Sequence, residues 1–345
     1  MKNTTKELFA ARNGHRGFES IFQTVFDPKK YARIYILKGG PGTGKSSLMR
    51  RISEHFSSCD CTVKNVLCSS DPSSLDGVII ETPSASVAII DGTAPHCTDP
   101  TIPGAVEEII NLGVAFDTDA LSKKRAVLTE LNERKRISYE KGYRLLGCAG
   151  SIFEYIWREI NVSSCYNKAE KQSEIIIKDL RPAARAEKID TDFIAAFCKE
   201  GYKKLPIEDD RLTVINLCAD RFVCGIIMKV IADRLLEKGV VTRICPSPLD
   251  SRLIDRIYTS DYVIAVNECS NSGQFYLGNI DTGIEDYDSL CRIYEELLEL
   301  ARHAFLEASD AHFGMEAIYK DAVDFKQNEK TAEWLIGKIA DLIKA

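Results

Sequence analysis

The sequence has no long apolar run, and this limits where the protein can work. No hydrophobic stretch in the 345 residues approaches the roughly 20 that a helix needs to cross a bilayer, so we expect no membrane partner. Residues 1–7 contain no apolar segment typical of a signal peptide, so we expect a cytoplasmic protein. The chain also has no excess of positive charge, since 51 Asp and Glu residues outnumber 45 Lys and Arg residues. The net charge of −6 argues against a general nucleic-acid surface.

Paired cysteine motifs are also missing, although the chain has 12 cysteines. Cys59-x-Cys61 and Cys218-x5-Cys224 lack the C-x2-C spacing of a zinc site, and thiols stay free in a reducing compartment. The remaining composition, 45% hydrophobic and 28% charged, is that of an ordinary globular protein. Its length is sufficient for two domains, each with its own core.

A glycine-rich loop is the strongest motif in the chain. Residues 39–46 fit the P-loop (Walker A) pattern G-x-x-x-x-G-K-[ST], with an apolar run at 34–37 before it and helical spacing after it. Glycines lack a Cβ atom, so the backbone can curl and direct its N–H groups at a phosphate. The predicted nucleotide-binding residues are Gly39, Gly40, Pro41, Gly42, Thr43, Gly44, Lys45, Ser46 and Ser47.

Three side chains have predicted roles in holding ATP and Mg²⁺. Lys45 supplies an ammonium for the β- and γ-phosphates, and the Ser46 hydroxyl is a hard oxygen ligand for Mg²⁺. The apolar strand predicted at residues 86–91 ends in Asp91, which is a Walker B pattern. Asp91 is therefore the expected second Mg²⁺ ligand and a catalytic residue together with Lys45.

The residue that activates water is less evident, because Asp91 is followed by Gly92 and not by an acid. Asp71 lies in the turn after a predicted strand at 62–68, where a ligand crevice forms in parallel sheets, and it is the third predicted catalytic residue. Its alternative role is an Asx-turn or helix cap. Asp76 is a further candidate base. His96 either contacts substrate or is a structural loop histidine.

Residues 103–177 have helical character. A long basic helix at 121–144 and an apolar helix at 152–157 are predicted to form a helical hairpin. The basic helix could fold over the phosphates as a lid. The candidate transition-state arginines are Arg125, Arg134, Arg136 and Arg144. Alternatively, these side chains form a solvated face, because they are interleaved with Glu at helical spacing.

The second half of the sequence repeats the first. Apolar runs at 212–217 and 241–247 match the first two predicted strands, and the run at 263–267 matches the Asp91 strand, with Asn267 in the place of Asp91. The position of Lys45 is taken by Val223 or Cys224, so this copy should hold no Mg²⁺-nucleotide. It is a structural or regulatory lobe, or it binds something else through Asn267 and Glu268.

The predicted fold class is therefore α/β: a P-loop NTPase-like parallel sheet with a helical hairpin, duplicated, with a degenerate second copy. The predicted domains are residues 1–185, the nucleotide-binding lobe, and 186–345, the degenerate lobe.

The stretches at residues 36–47, 69–77 and 89–97 resemble a little-characterised bacterial family of duplicated P-loop, ATPase-like proteins. The resemblance covers nearly the whole chain and implies ATP binding and ATPase activity. In that family the second lobe commonly has its own P-loop, and this sequence departs from that pattern. The loop also looks like that of ring-forming AAA-type ATPases, but those follow the Walker B Asp with Glu. Ring motor activity is not expected.

The leading expectation is a Mg²⁺-dependent, ATP-binding P-loop NTPase with one active site in the first lobe. It would hydrolyse ATP slowly, or only when an unknown protein or small-molecule partner completes the site. The alternatives are a small-molecule or nucleotide kinase, and a non-catalytic switch that responds to a nucleoside triphosphate.

Overall fold

Two six-stranded sheets form the frame of the molecule. The computed structural model describes residues 4–162, 164–178, 180, 189–268, 274–276 and 282–344. Most strands of both sheets are apolar and buried, so the core of each half lies on its sheet and under the helices that cover it.

The described residues of the first half form eight strands and five helices. The strands are β1 (Thr4–Phe9), β2 (Ala11–Gly14), β3 (Gly17–Ser20), β4 (Arg33–Lys38), β5 (Thr62–Leu67), β6 (Leu75–Glu81), β7 (Ser86–Asp91) and β8 (Glu107–Asn111). The helices are α1 (Phe22–Val25), α2 (Lys45–Ser57), α3 (Thr118–Lys123), α4 (Arg125–Val162) and α5 (Ser164–Lys178), with short 3₁₀ helices at Pro28–Lys30 and Leu112–Ala115.

In the part of the second half that the structure describes there are also eight strands, with three further helices. The strands are β9 (Asp190–Thr191), β10 (Ala195–Cys198), β11 (Gly201–Lys204), β12 (Thr213–Cys218), β13 (Arg243–Pro246), β14 (Ile254–Tyr258), β15 (Tyr262–Val266) and β16 (Gln274–Tyr276). The helices are α6 (Arg221–Glu237), α7 (Tyr287–Lys320) and α8 (Phe325–Lys344).

The two sheets have the same strand order. The first runs β1-β5-β6-β7-β4-β8 and the second runs β9-β13-β14-β15-β12-β16. Each step also has the same direction: parallel, antiparallel, antiparallel, parallel, parallel. The prediction of parallel sheets was therefore wrong in part. β6 and β14 run antiparallel to both neighbours, because the short connections on either side of them can join only antiparallel strands.

The helical prediction for residues 103–177 needs two corrections. Residues 107–111 form β8, which pairs in parallel with β4 at the edge of the first sheet. Residues 125–144 and 152–157 of the two predicted arms lie in one continuous helix, α4, so the prediction of a helical hairpin was wrong. α4 packs instead along α7 from the second half. In the described ranges, no helix is both long and apolar enough to cross a bilayer.

Each half contributes helices to the core of the other half. The carboxyl-terminal part of α4 and helix α5 pack with α6 into the core of the second sheet. The last helix, α8, packs on α2 and joins the core of the first sheet through Ala332, Leu335 and Ile339. The predicted boundary at 185/186 lies outside the described residues, so the division into domains stays a prediction.

Two small hairpins connect the halves. Hairpin β2–β3 reaches the second half, where the backbone N–H of His15 donates to the carbonyl oxygen of Leu249 at 2.9 Å. Hairpin β10–β11 reaches the first half, where Lys199 Nζ lies 3.0 Å from Asp71 Oδ2. Each hairpin thus contacts the turn that precedes the antiparallel strand of the other sheet.

Candidate functional site

The glycine-rich loop connects buried strand β4 to helix α2, as predicted. Gly42 and Gly44 have φ angles of +71° and +78°, which favour glycine because it lacks a Cβ atom. In the described part of the chain, no protein acceptor is bound by the backbone N–H groups of Gly42 and Gly44. The positive end of α2 begins directly after them at Lys45. This arrangement of free donors and a helix N-terminus suits an anion.

The Lys45 ammonium lies within the loop and close to Asp91. Its Nζ donates to the carbonyl oxygens of Gly39 at 2.8 Å and Gly40 at 3.0 Å. The same atom lies 3.7 Å from Asp91 Oδ2, an ion-pair distance. Because Lys45 is held by exchangeable hydrogen bonds to carbonyl groups, its charge can be redirected to a phosphate at the same place.

Asp91 ends β7 at the edge of the sheet where the loop begins. Its Oδ1 accepts hydrogen bonds from the backbone N–H of Thr93 at 2.9 Å and from the Thr93 hydroxyl at 2.6 Å. Burial raises the pKa of the Asp91 carboxyl, the charge of Asp76 adds to the rise, and Lys45 and Thr93 act against it. A carboxylate kept in a low-dielectric site in this way is stabilised by a cation.

Ser46 links the loop helix to the neighbouring strand. Its Oγ accepts a hydrogen bond from the backbone N–H of Leu75 at 3.0 Å. Ser46 and Asp91 both offer hard oxygen atoms, the type of ligand that Mg²⁺ prefers. In the described ranges, no group of three or more His, Cys, Asp and Glu side chains is placed to hold a metal ion. The donor set fits an ion that takes most of its ligands from phosphate and water.

Asp71 has different partners from the other predicted site residues. Its carboxylate accepts hydrogen bonds from Ser73 and forms an ion pair with Lys199. Burial acts to raise the pKa of Asp71, but the hydrogen bonds from Ser73 and Lys199 hold it below the usual value. The hydrogen bonds from Ser73 to the Asp71 carboxylate are those of an Asx-turn, the alternative role considered for Asp71. The structure thus brings Lys45, Ser46 and Asp91 together and directs Asp71 towards the second half.

Asp76 and His96 lie at the same edge of the first sheet as Asp91. Their side chains are more buried than the sequence indicated. Both are buried, and Asp76 Oδ2 lies 3.0 Å from His96 Nε2. The His96 ring stacks on Phe22, with ring centroids 4.0 Å apart. The sequence identified these two residues singly, but the contact between them depends on how β6 and the 92–99 loop approach each other.

The end of α7 and the start of α8 cover the outer side of the glycine-rich loop, and nothing in the sequence indicated this. Asn328 Nδ2 donates to the carbonyl oxygen of Thr43 at 2.6 Å. The rings of Phe116 and Tyr319 lie 5.3 Å apart, against Gly40. These contacts join residues nearly 300 positions apart in the chain, so no local pattern could have revealed them.

The predicted lid arginines have no established role at the site. Arg136 donates to Glu133 and Glu140 on its own helix, as expected for a solvated face. α4 follows α7 over its length, so it is held as a structural helix. The geometry does not favour a lid over the phosphates.

The second half has no comparable loop. Only Ala219 and Asp220 separate β12 from α6, and the Asp220 carboxylate accepts hydrogen bonds from the backbone N–H groups of Phe222 at 2.9 Å and Val223 at 3.2 Å. A fixed protein carboxylate therefore caps the helix end where the first half presents free donors. Glu268, the other residue considered for this crevice, is bound by Arg256.

The match of Asn267 with Asp91 was wrong by one residue. In the first sheet Leu37 pairs with Asp91, and in the second the equivalent Leu217 pairs with Val266. Asn267 instead donates its backbone N–H to the Leu217 carbonyl, as the residue after Asp91 does to Leu37. The match from sequence aligned two polar residues, Asp91 and Asn267. The register of the sheets is set instead by their backbone hydrogen bonds. An apolar valine thus lies at the position that Asp91 has in the first sheet.

The chain was compared with protein-family models, curated proteins and solved structures, and none of the three comparisons finds a match.

Proposed function

We propose that this protein is a Mg²⁺-dependent, ATP-binding P-loop NTPase with one nucleotide site, in its first half. The observation that carries the proposal is the convergence of the glycine-rich loop, Lys45, Ser46 and Asp91 at one edge of the first sheet. Phosphoryl transfer depends mostly on positioning and charge neutralisation, and these groups supply both. Bound Mg²⁺ would neutralise phosphate charge beside Ser46 and Asp91.

The proposal includes an internal duplication, as the resemblance to duplicated P-loop ATPase-like proteins implies, and a degenerate second copy, in which this chain departs from that family. The common strand order of the two sheets supports the duplication. The Asp220 cap and Val266 support the loss of nucleotide binding, because a carboxylate at the helix end repels phosphate and valine cannot bind a metal ion. We also propose a cytoplasmic location, since the ten cysteines whose side chains the structure describes are free.

A nucleotide-dependent switch is a second candidate. The contacts of α8 with Thr43 and of the end of α7 with Gly42 favour it, because a change in loop conformation on binding ATP would act on both long carboxyl-terminal helices and on the turn between them. In that case, nucleotide would protect this turn from proteolysis while phosphate release stayed negligible.

Calorimetric titration with Mg·ATP tests the proposed site. Lys45→Ala should weaken binding at least tenfold, equal to about 1.4 kcal/mol, because it removes the ammonium that faces the phosphates. The matched control is Cys224→Ala in the second half, which should leave binding unchanged. Equal losses in the two variants, or no binding heat with the unaltered protein, would contradict the proposal.

Asp91→Asn tests the metal role separately. The variant should weaken binding of Mg·ATP far more than binding of ATP in the presence of EDTA, because only the former uses the carboxylate as a metal ligand. A similar effect under both conditions would show that Asp91 does not serve Mg²⁺.

A further inference from the structure

Asp76 lies close to Asp91 at the edge of the first sheet. β6 and β7 are antiparallel, and Asp76 and Asp91 are the residues just beyond their pair Gly77–Ile90. The charge of Asp76 adds to the raised pKa of Asp91, as expected for two neighbouring carboxyl groups. The Leu75 N–H that binds Ser46 directly precedes Asp76. Asp76 is thus next to both proposed Mg²⁺ ligands.

A β-bulge sets the direction of the Asp76 side chain. In the pairing of β5 with β6, Val66 lies opposite Gly77 and Leu67 opposite Leu75, so Asp76 is the extra residue. Bulges are common next to active sites, because they redirect one side chain without disturbing the rest of the strand.

The Asp76 carboxylate is buried without full hydrogen bonding. The side chain is only 9% exposed, and Oδ2 has no hydrogen-bond partner. The 3.0 Å contact with His96 Nε2 is an ion-pair distance whose geometry does not meet that of a hydrogen bond. His96 Nδ1 is also buried and without a partner. A buried polar atom without a hydrogen bond costs about 1–3 kcal/mol in general, and a catalytic role is one reason for a protein to keep such an atom.

The second half provides an internal comparison. Asp255 is the extra residue of the equivalent bulge, between Cys245 and Pro246 on the paired strand. Asp255 Oδ2 accepts a hydrogen bond from the Tyr202 hydroxyl at 2.6 Å, and Lys204 lies 4.0 Å from Oδ1. Asp255 is therefore satisfied by structural partners.

The first half lacks those partners at the equivalent positions. The two hairpins align at their turns, where Gly14 pairs with Gly17 and Cys198 with Gly201. On this register the equivalent of Tyr202 is Phe18, which has no hydroxyl group, and the equivalent of Lys204 is Ser20. The bulged aspartate is thus kept in the half that has the glycine-rich loop, while the tyrosine and lysine that bind Asp255 are replaced by Phe18 and Ser20.

We infer that Asp76 is the carboxylate that orients and deprotonates the water attacking the γ-phosphate, and that His96 is its positioning residue. This inference rests on the proposed function. The water oxygen forms a bond to the γ-phosphorus, and the bond from that phosphorus to the β-bridging oxygen breaks, with its electron pair leaving on ADP. The proton of the water passes to the Asp76 carboxylate. His96, stacked on Phe22, holds that carboxylate towards the site.

Steady-state phosphate release tests this role. Asp76→Asn should lower kcat for Mg·ATP by about 10²-fold or more, the usual contribution of a general base, and change KM less than about threefold. His96→Gln should lower kcat by roughly tenfold with KM preserved, since it acts through Asp76. Asp99→Asn is the matched control, an exposed carboxylate in the same loop region, and should retain the kcat of the unaltered protein.

A second measurement tests the inference even if turnover is too slow to follow or a variant folds poorly. Mg·ADP with aluminium fluoride recruits the attacking water into a stable complex, so the unaltered protein should trap it and Asp76→Asn should not. Asp76→Glu, which keeps the charge but moves it by one methylene, should bind Mg·ATP and lose trapping as well.

The outcomes separate this inference from the proposed function. Unchanged kcat and trapping in Asp76→Asn would overturn the role of Asp76 while leaving the nucleotide site in place. Loss of Mg·ATP binding in Asp76→Asn would make Asp76 a binding residue and overturn its role as a base. If the unaltered protein binds Mg·ATP but neither releases phosphate nor traps the fluoride complex, the inference also fails. Absence of Mg·ATP binding in the unaltered protein would remove the proposed function itself.

Discussion

At the scale of single residues, Gly42 combines two requirements that only glycine meets. Its φ angle is positive, and a Cβ atom added there would lie 2.7 Å from the carbonyl oxygen of Glu316 in α7. Gly104 has a similar φ angle of +77°, but a Cβ atom there would meet nothing within 4 Å. A comparison of the two positions therefore separates the cost of a positive φ angle from the cost of a steric clash with α7.

Gly42→Ala should destabilise the protein by roughly 2–4 kcal/mol, because it adds a clash with α7 to the cost of a left-handed alanine. Gly104→Ala should cost only about 1–2 kcal/mol. Thermal and urea unfolding measure both values. If the two variants lose the same stability, α7 does not press on the loop as described.

At the scale of elements, helix α8 is the clearest case of an element that completes the core of the other half. Leu335 and Ile339 are fully buried with Met49 and Ile52 of α2, while Glu329 on the same helix is exposed. The first sheet thus has one face covered by helices from both ends of the chain.

Leu335→Ala should lower the free energy of unfolding by about 2–5 kcal/mol, as expected when a fully buried leucine is truncated. It should also weaken Mg·ATP binding, because α8 carries the Asn328 contact to the loop. Glu329→Ala serves as the control and should change stability by less than about 0.5 kcal/mol. Urea unfolding of the two variants measures the difference, and a small loss for Leu335→Ala would mean that α8 is not part of the first core.

At the scale of the whole molecule, the halves are joined by reciprocal polar contacts of the two hairpins. Lys199 pairs with Asp71 at 3.0 Å, and His15 Nδ1 lies 3.8 Å from Asp250 Oδ2. Burial acts to raise the pKa of Asp250, but hydrogen bonds from Arg252 and the nearby His15 hold it well below its usual range. The ionised form of Asp250 is therefore favoured by folding.

The stabilising effect of Asp250 should depend on pH with a definite sign. A carboxyl group whose pKa is lowered by folding stabilises the protein above its unfolded pKa of about 3.9, and this contribution is lost as pH falls towards the folded pKa. The free energy of unfolding should thus fall below about pH 4, and Asp250→Asn should reduce that slope. The exposed Asp210→Asn should leave the slope unchanged, and denaturant unfolding at several pH values measures it. A slope that is the same in Asp250→Asn as in the unaltered protein would contradict this account.

The sequence by itself determined the glycine-rich loop, the buried strand before it, the helix after it and the position of Asp91 at the end of another strand. These features rest on local patterns: glycines without Cβ atoms, apolar runs of strand length and an acid at the end of one run. The same patterns failed for residues 107–111, because the Glu-Glu-Ile-Ile-Asn segment suits a helix locally and becomes a strand only beside β4.

The tertiary structure decided how the elements combine. The antiparallel direction of β6, the covering of the loop by Asn328 and the place of Val266 opposite Leu217 all depend on contacts between distant segments. The contact of Asp76 with His96 is of the same kind. A strand or loop can be specified by its own residues. The register of a sheet and the packing of distant helices depend on the free energy of the whole folded chain, so no single segment of the sequence reveals them.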